Sequence, residues 1–145
     1  DIVFTLSWVA AIDAFQHWIY EHPGHTLQER YAKWVELYQT FNGTETDWRG
    51  LEGDCDILWH RQLHIFEVPF YYIEYGIAQL GALQIWKNSR RDPKAALEKY
   101  KNALALGGSR TLPELFATAG IEFDFSEKTI APLVCELEQE LEGMG

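Results

Sequence analysis

Cysteine, methionine and basic side chains are scarce in this chain. It has two cysteines, one methionine and 12 lysines plus arginines, against 22 aspartates plus glutamates. Cys55 and Cys135 are too few for a disulfide scaffold and too widely spaced to suggest a metal cluster, so both are expected as reduced, buried thiols. The formal charge of -10 repels phosphate backbones and anionic lipid surfaces, which argues against nucleic-acid and membrane partners. No run of about 18 consecutive apolar residues is present, so no membrane span is expected. Strand patterning is missing as well. Only IEFDF, Ile121 to Phe125, alternates, and one isolated segment cannot build a sheet.

The chain starts at Asp1, and its opening stretch DIVFTLSWVAAIDAFQHWIY has neither the basic n-region nor the small-residue cleavage site of a signal peptide. It reads as a helix entered part-way along. The expectation is therefore the C-terminal part of a longer, cytoplasmic protein.

What is present is apolar and aromatic: 47% and 14% of 145 residues. That length suits a single domain, 1–145, burying about two-thirds of the surface its unfolded chain exposes. Trp8, Ala11, Ile12, Phe15, Trp18 and Ile19 recur at the helical period, and Pro23 with Gly24 ends that first helix. Thr26 and Glu29 form a capping box for a second helix, which Asn42 and Gly43 stop. A third is expected from Asp54 to about Phe66 and a fourth, apolar on nearly every side, from Pro69 to Asn88. Gly76 and Gly81 each cost that fourth helix up to about 1 kcal/mol relative to alanine, so close packing by a neighbour is expected at both. Asp92 and Pro93 open a further helix, closed by Gly107 and Gly108, and Thr111 with Glu114 caps a short one ending at Gly120. Ser126 is expected to cap the last. The fold is all-α, a multi-helix bundle.

The chemistry concentrates in HRQLHIFEVPFYYIEYG, His60 to Gly76. His60 and His64 stand four apart, as the histidines of HExxH do, but the position of its catalytic glutamate holds Arg61, and no four-ligand set surrounds them. A zinc site within the chain is disfavoured. In a packing reading, Phe70, Tyr71, Tyr72 and Tyr75 are core aromatics. An unpaired buried hydroxyl costs about 1 to 3 kcal/mol, however, so phenylalanine or leucine would serve a core better. In the third reading, Tyr72 and Tyr75 share a helix face and present neutral O–H donors to a cleft, with His64 adding an imidazole.

DAFQHWIYEHPGHT, DWRGLE and above all WHRQLHIFEVPFYYIEYGIAQLGALQIW resemble the C-terminal portion of oligoendopeptidase F-like zinc peptidases, the M3 family. The likeness continues through DPKAALEKYKNAL and ELFATAGIEFDF. It implies a zincin-like helical peptidase whose HExxH helix and third glutamate ligand lie upstream of this segment. Zinc would thus belong to the full-length enzyme, with no ligand from this chain. His64 would match a histidine that hydrogen-bonds substrate and oxyanion, Tyr72 and Tyr75 a tyrosine pair with the same task, and Tyr71 and Phe70 would line the substrate wall. The implied partners are a peptide substrate and the upstream catalytic portion of the same protein, and the segment alone is expected to be inactive. The alternative is a non-catalytic helical module that holds a peptide or partner helix in an aromatic groove.

Elsewhere, His22 and His25 flank a turn and read as surface or hydrogen-bonded loop residues. Asp13 and His17 can pair across one helical turn. Trp48 and Trp59 read as core, and the acidic end of the chain as a solvated helix face.

Overall fold

The computed structural model describes residues 2–143. Among these it contains helices and no strand, in the order α1 (Ile2–Glu21), α2 (Leu27–Asn42), α3 (Glu52–Asp56), a 3-10 turn (Leu58–Arg61), α4 (His64–Glu67), α5 (Ile73–Arg91), α6 (Pro93–Leu106), α7 (Leu112–Ala119) and α8 (Glu127–Gly143). The chain forms two compact units, Asp1–Ile77 and Ala78–Gly145.

In the first unit, α1 presents Ala11, Ile12 and Phe15 to Trp34 of α2 and to Trp59, all buried. The Phe15 ring meets Trp34 at 5.3 Å and Trp59 at 5.2 Å between centroids. Burying rings of this size contributes about 1.5 to 3 kcal/mol each, so this contact fixes the unit. By length and mean hydropathy alone α1 could cross a membrane, contrary to the reading of its sequence. Here Val9, Ala11, Ile12, Phe15 and Gln16 are buried, while its other side chains are half-buried or exposed. The Thr26–Glu29 capping box forms, and Gly43 at φ 80° ends α2.

The single helix expected over 54–66 is not there; α3, a 3-10 turn and α4 replace it. The Cys55 carbonyl receives the Trp34 indole N–H at 2.9 Å, in a buried bond. Trp59 is 3% exposed. Docking this segment onto Trp34 and Phe15 takes precedence over a continuous helix, as tertiary packing routinely does over propensity. His60 and His64 therefore do not share a helix face. The fourth helix likewise begins later than expected, at Ile73, because Phe70 sits at φ 63°, which no right-handed helix accommodates.

In the second unit, the Asp92 carboxylate accepts the Ala95 N–H at 3.0 Å, and the Thr111–Glu114 box caps α7. Gly120, at φ 75°, closes α7 in the left-handed conformation. The segment 121–125 is irregular, and Gln84 of α5 stands in for a strand partner: its Nε2 donates to the Glu122 carbonyl at 3.0 Å, and its Oε1 accepts the Glu122 N–H at 2.9 Å. Ser126 precedes α8, but its hydroxyl donates to Asp124 at 2.7 Å instead of capping the helix. Lys87 pairs with Glu136 at 2.9 Å, and Arg90 pairs with Glu140. Both cysteines are free, Cys55 buried and Cys135 exposed, so the expectation of two buried thiols holds for Cys55 only.

The glycine expectation holds at both positions. A Cβ on Gly76 would stand 3.0 Å from Val9 Cγ1, and one on Gly81 would stand 3.0 Å from Phe116 Cζ.

Candidate active site

His64 opens α4, Tyr71 and Tyr72 lie in the turn before α5, and Tyr75 sits in the first turn of α5. The reversal at Val68, Pro69 and Phe70 folds the tyrosines back over the histidine. The His64 ring lies 4.9 Å from Tyr72, 5.6 Å from Tyr75 at a right angle, and 6.4 Å from Tyr71, nearly parallel to it. Tyr72 and Tyr75 are 5.1 Å apart. One imidazole and three phenols therefore form a single cluster.

Tyr72 is half-buried against the α1–α2 core, while Tyr75 is 45% exposed. Among the described residues neither phenol oxygen is hydrogen-bonded to protein or sealed from solvent. Burial pushes the Tyr72 phenol above its ordinary value, Tyr75 adds to the rise, and Arg61 opposes it. Tyr72 thus stays a neutral O–H donor well past pH 7. The Arg61 guanidinium lies over the Trp8 ring, 4.6 Å from its centroid.

Phe70 sits apart from this cluster. Its ring packs on His17 at 5.0 Å and Tyr20 at 4.9 Å, and its N–H donates to Gln16 Oε1 at 2.8 Å. His17 in turn faces Asp13 at 3.6 Å, whose carboxyl is pushed up by burial and pulled down less strongly by His17. Phe70 so placed anchors the turn that carries the tyrosines.

Sequence reasoning passed over Gln16 and Gln62. Gln16 occupies a core position of α1, four residues after Ile12, and is fully buried. A polar residue in an apolar stripe was the available signal. Gln62 links Trp8 to His64: Oε1 accepts the Trp8 indole N–H at 3.0 Å, and Nε2 lies 2.6 Å from His64 Nδ1.

Among the described residues no three His, Cys, Asp or Glu side chains converge as metal ligands. The His60 ring packs on Trp59 at 4.1 Å, while His64 turns to the tyrosines. The residues present therefore do not fit a zinc ion. His22 and His25 are held in their turn, with His22 Nδ1 2.9 Å from the Trp18 carbonyl and Arg30 Nε donating to His25 Nε2 at 2.7 Å. A hollow in the second unit is lined mainly by apolar groups, Gly81, Ile85, Leu104, Phe116 and Ile121 among them, with Tyr100 its one titratable side chain.

Among the described residues the chain is helical, and His64, Tyr71, Tyr72 and Tyr75 form its histidine–tyrosine cluster. The family model for Peptidase family M3 matches residues 2–134, and the chain belongs to that family. A solved X-ray structure at 3.1 Å, described as an oligoendopeptidase F, is 33% identical with a TM-score of 0.81. The match covers 98% of this chain and 25% of that one, so the chain spans about a quarter of that protein's length. No curated protein matches the chain.

Proposed function

We propose that this chain is the C-terminal part of a zinc-dependent metalloendopeptidase acting on short peptides, and that it supplies hydrogen-bond donors to the substrate and its oxyanion. The observation that carries this reading is the convergence of His64, Tyr72 and Tyr75, with both phenols free of protein partners among the described residues. A neutral phenol aimed at an oxygen that becomes negative stabilises the transition state more than the ground state. Tyr72, held in its neutral form, suits that task best. Tyr75 is the more exposed donor, and Tyr71, nearly parallel to His64, lines the approach with Phe70 fixing the turn below it.

Metal ligation is assigned to residues outside this chain, so the segment alone is inactive and its contribution appears only in the longer enzyme. Membership of the M3 family and the quarter-length match support that assignment. Two free thiols fit a cytoplasmic setting. The test is cleavage of a quenched peptide by the longer enzyme carrying Tyr72→Phe or Tyr75→Phe. Each lowers kcat by about tens to hundreds of fold at unchanged metal content. Unchanged kcat in both variants returns the tyrosines to packing.

A further inference from the structure

The Gln62 amide has one possible orientation. The Trp8 indole N–H can only donate, so the atom it meets at 3.0 Å is the amide oxygen. The amide nitrogen therefore faces His64 Nδ1, at 2.6 Å. An amide nitrogen donates and does not accept, so Nδ1 is the bare ring nitrogen and the neutral imidazole carries its proton on Nε2.

We infer that Gln62 is the positioning residue of His64: anchored by Trp8, it selects the tautomer whose free ring atom is an N–H donor. The other tautomer would turn two donors on each other at Gln62 and leave a bare nitrogen as the free ring atom. That nitrogen could not donate to a substrate oxygen. The anchor is firm, since the Trp8 ring packs edge-on against Trp34 at 5.6 Å and Tyr38 at 6.5 Å. The network thus ties the orientation of His64 to the α1–α2 core. The tautomer stands independently of the proposed activity; its use in catalysis rests on that reading.

The test is histidine-selective nitrogen-15 NMR of the chain, which distinguishes a bare from a protonated ring nitrogen. The native spectrum is expected to show His64 with Nδ1 bare and Nε2 protonated. In Gln62→Glu the carboxylate still accepts from Trp8 but can only accept from His64, so in the neutral imidazole the proton sits on Nδ1. Gln62→Met keeps the bulk without the amide and releases the preference, giving a mixture of tautomers. A native His64 with its proton on Nδ1, or a tautomer indifferent to both substitutions, overturns the inference.

In the longer enzyme, Gln62→Glu then lowers kcat by about ten- to a hundredfold with KM nearly constant. If the tautomer switches while kcat holds, the positioning role is overturned. In that case Tyr72→Phe decides separately whether the oxyanion wall itself stands.

Discussion

The Gln16 amide oxygen accepts the Phe70 N–H at 2.8 Å, joining residues 54 apart in the chain. That bond holds a phenylalanine at φ 63°, where a side chain with a Cβ costs about 1 to 2 kcal/mol. Glycine pays no such cost. Replacing Phe70 loses the ring contacts to His17 and Tyr20 in either case, so Phe70→Gly is expected to be more stable than Phe70→Ala by about 1 kcal/mol. Urea unfolding of the two variants checks this, and an alanine variant of equal or greater stability would contradict it.

Removing the acceptor is the complementary change. Gln16→Leu leaves the Phe70 N–H unpaired, a loss of about 1 to 3 kcal/mol. The Gln16 Nε2 is already buried without a partner among the described residues, so replacing the side chain also removes an existing penalty. The net destabilisation expected from chemical unfolding is therefore near the lower end, about 1 kcal/mol. A more stable Gln16→Leu chain would show that the bond does not hold the turn.

Gly76 and Gly81 separate two kinds of close packing. Each prospective Cβ lies 3.0 Å from its neighbour. At Gly76 that neighbour is Val9, a β-branched side chain 2% exposed on α1, which has little room to turn. At Gly81 it is the tip of the half-buried Phe116 ring, which can tilt. Overpacking costs about 1 to 3 kcal/mol, and the helix regains up to about 1 kcal/mol from alanine. Gly76→Ala is thus expected to destabilise by about 1 kcal/mol or more and Gly81→Ala by less, read as urea midpoints. The reverse order would contradict the packing described.

The Tyr72 phenol sets an alkaline limit. Its pKa is raised in the folded chain, chiefly by burial, so the folded state holds that proton more tightly than the unfolded state does. Stability of this origin is full below the ordinary tyrosine value of about 10 and is lost as pH rises through the folded value. Tyr72→Phe should flatten the decline in urea midpoint above about pH 10. An unaltered alkaline limb would place the phenol in water instead.

Local signals were the legible part of this fold. Thr26 with Glu29, Asp92 with Pro93 and Thr111 with Glu114 cap the helices they were expected to cap, because a cap is settled within a few residues. The interruption around Pro69 was legible, but the breaks between Asp56 and His64 and the late start of α5 at Ile73 were not. They depend on the Trp34 indole reaching the Cys55 carbonyl and on Gln16 reaching Phe70, contacts made across 21 and 54 residues. The site divides in the same way. His64, Tyr72 and Tyr75 were found from their types and spacing, and their rings do meet. Gln62 was missed because a glutamine in a polar stretch has no pattern of its own, and only Trp8, 54 residues away, gives it an orientation. Cys135 was misplaced because the general preference of free thiols for burial does not decide which face of a helix one occupies: its neighbour Val134 is itself 44% exposed.

The central claim is that the Tyr72 and Tyr75 phenols bind the oxyanion, not the ground-state peptide. The most direct measurement compares, in the longer enzyme, inhibition by a peptide carrying a tetrahedral phosphinyl group with cleavage of the matching substrate. In Tyr72→Phe and Tyr75→Phe, the inhibition constant is expected to rise in step with the fall in kcat/KM while KM changes little. An inhibition constant that stays at the native value while kcat/KM falls, or a KM that accounts for the whole loss, would contradict the claim.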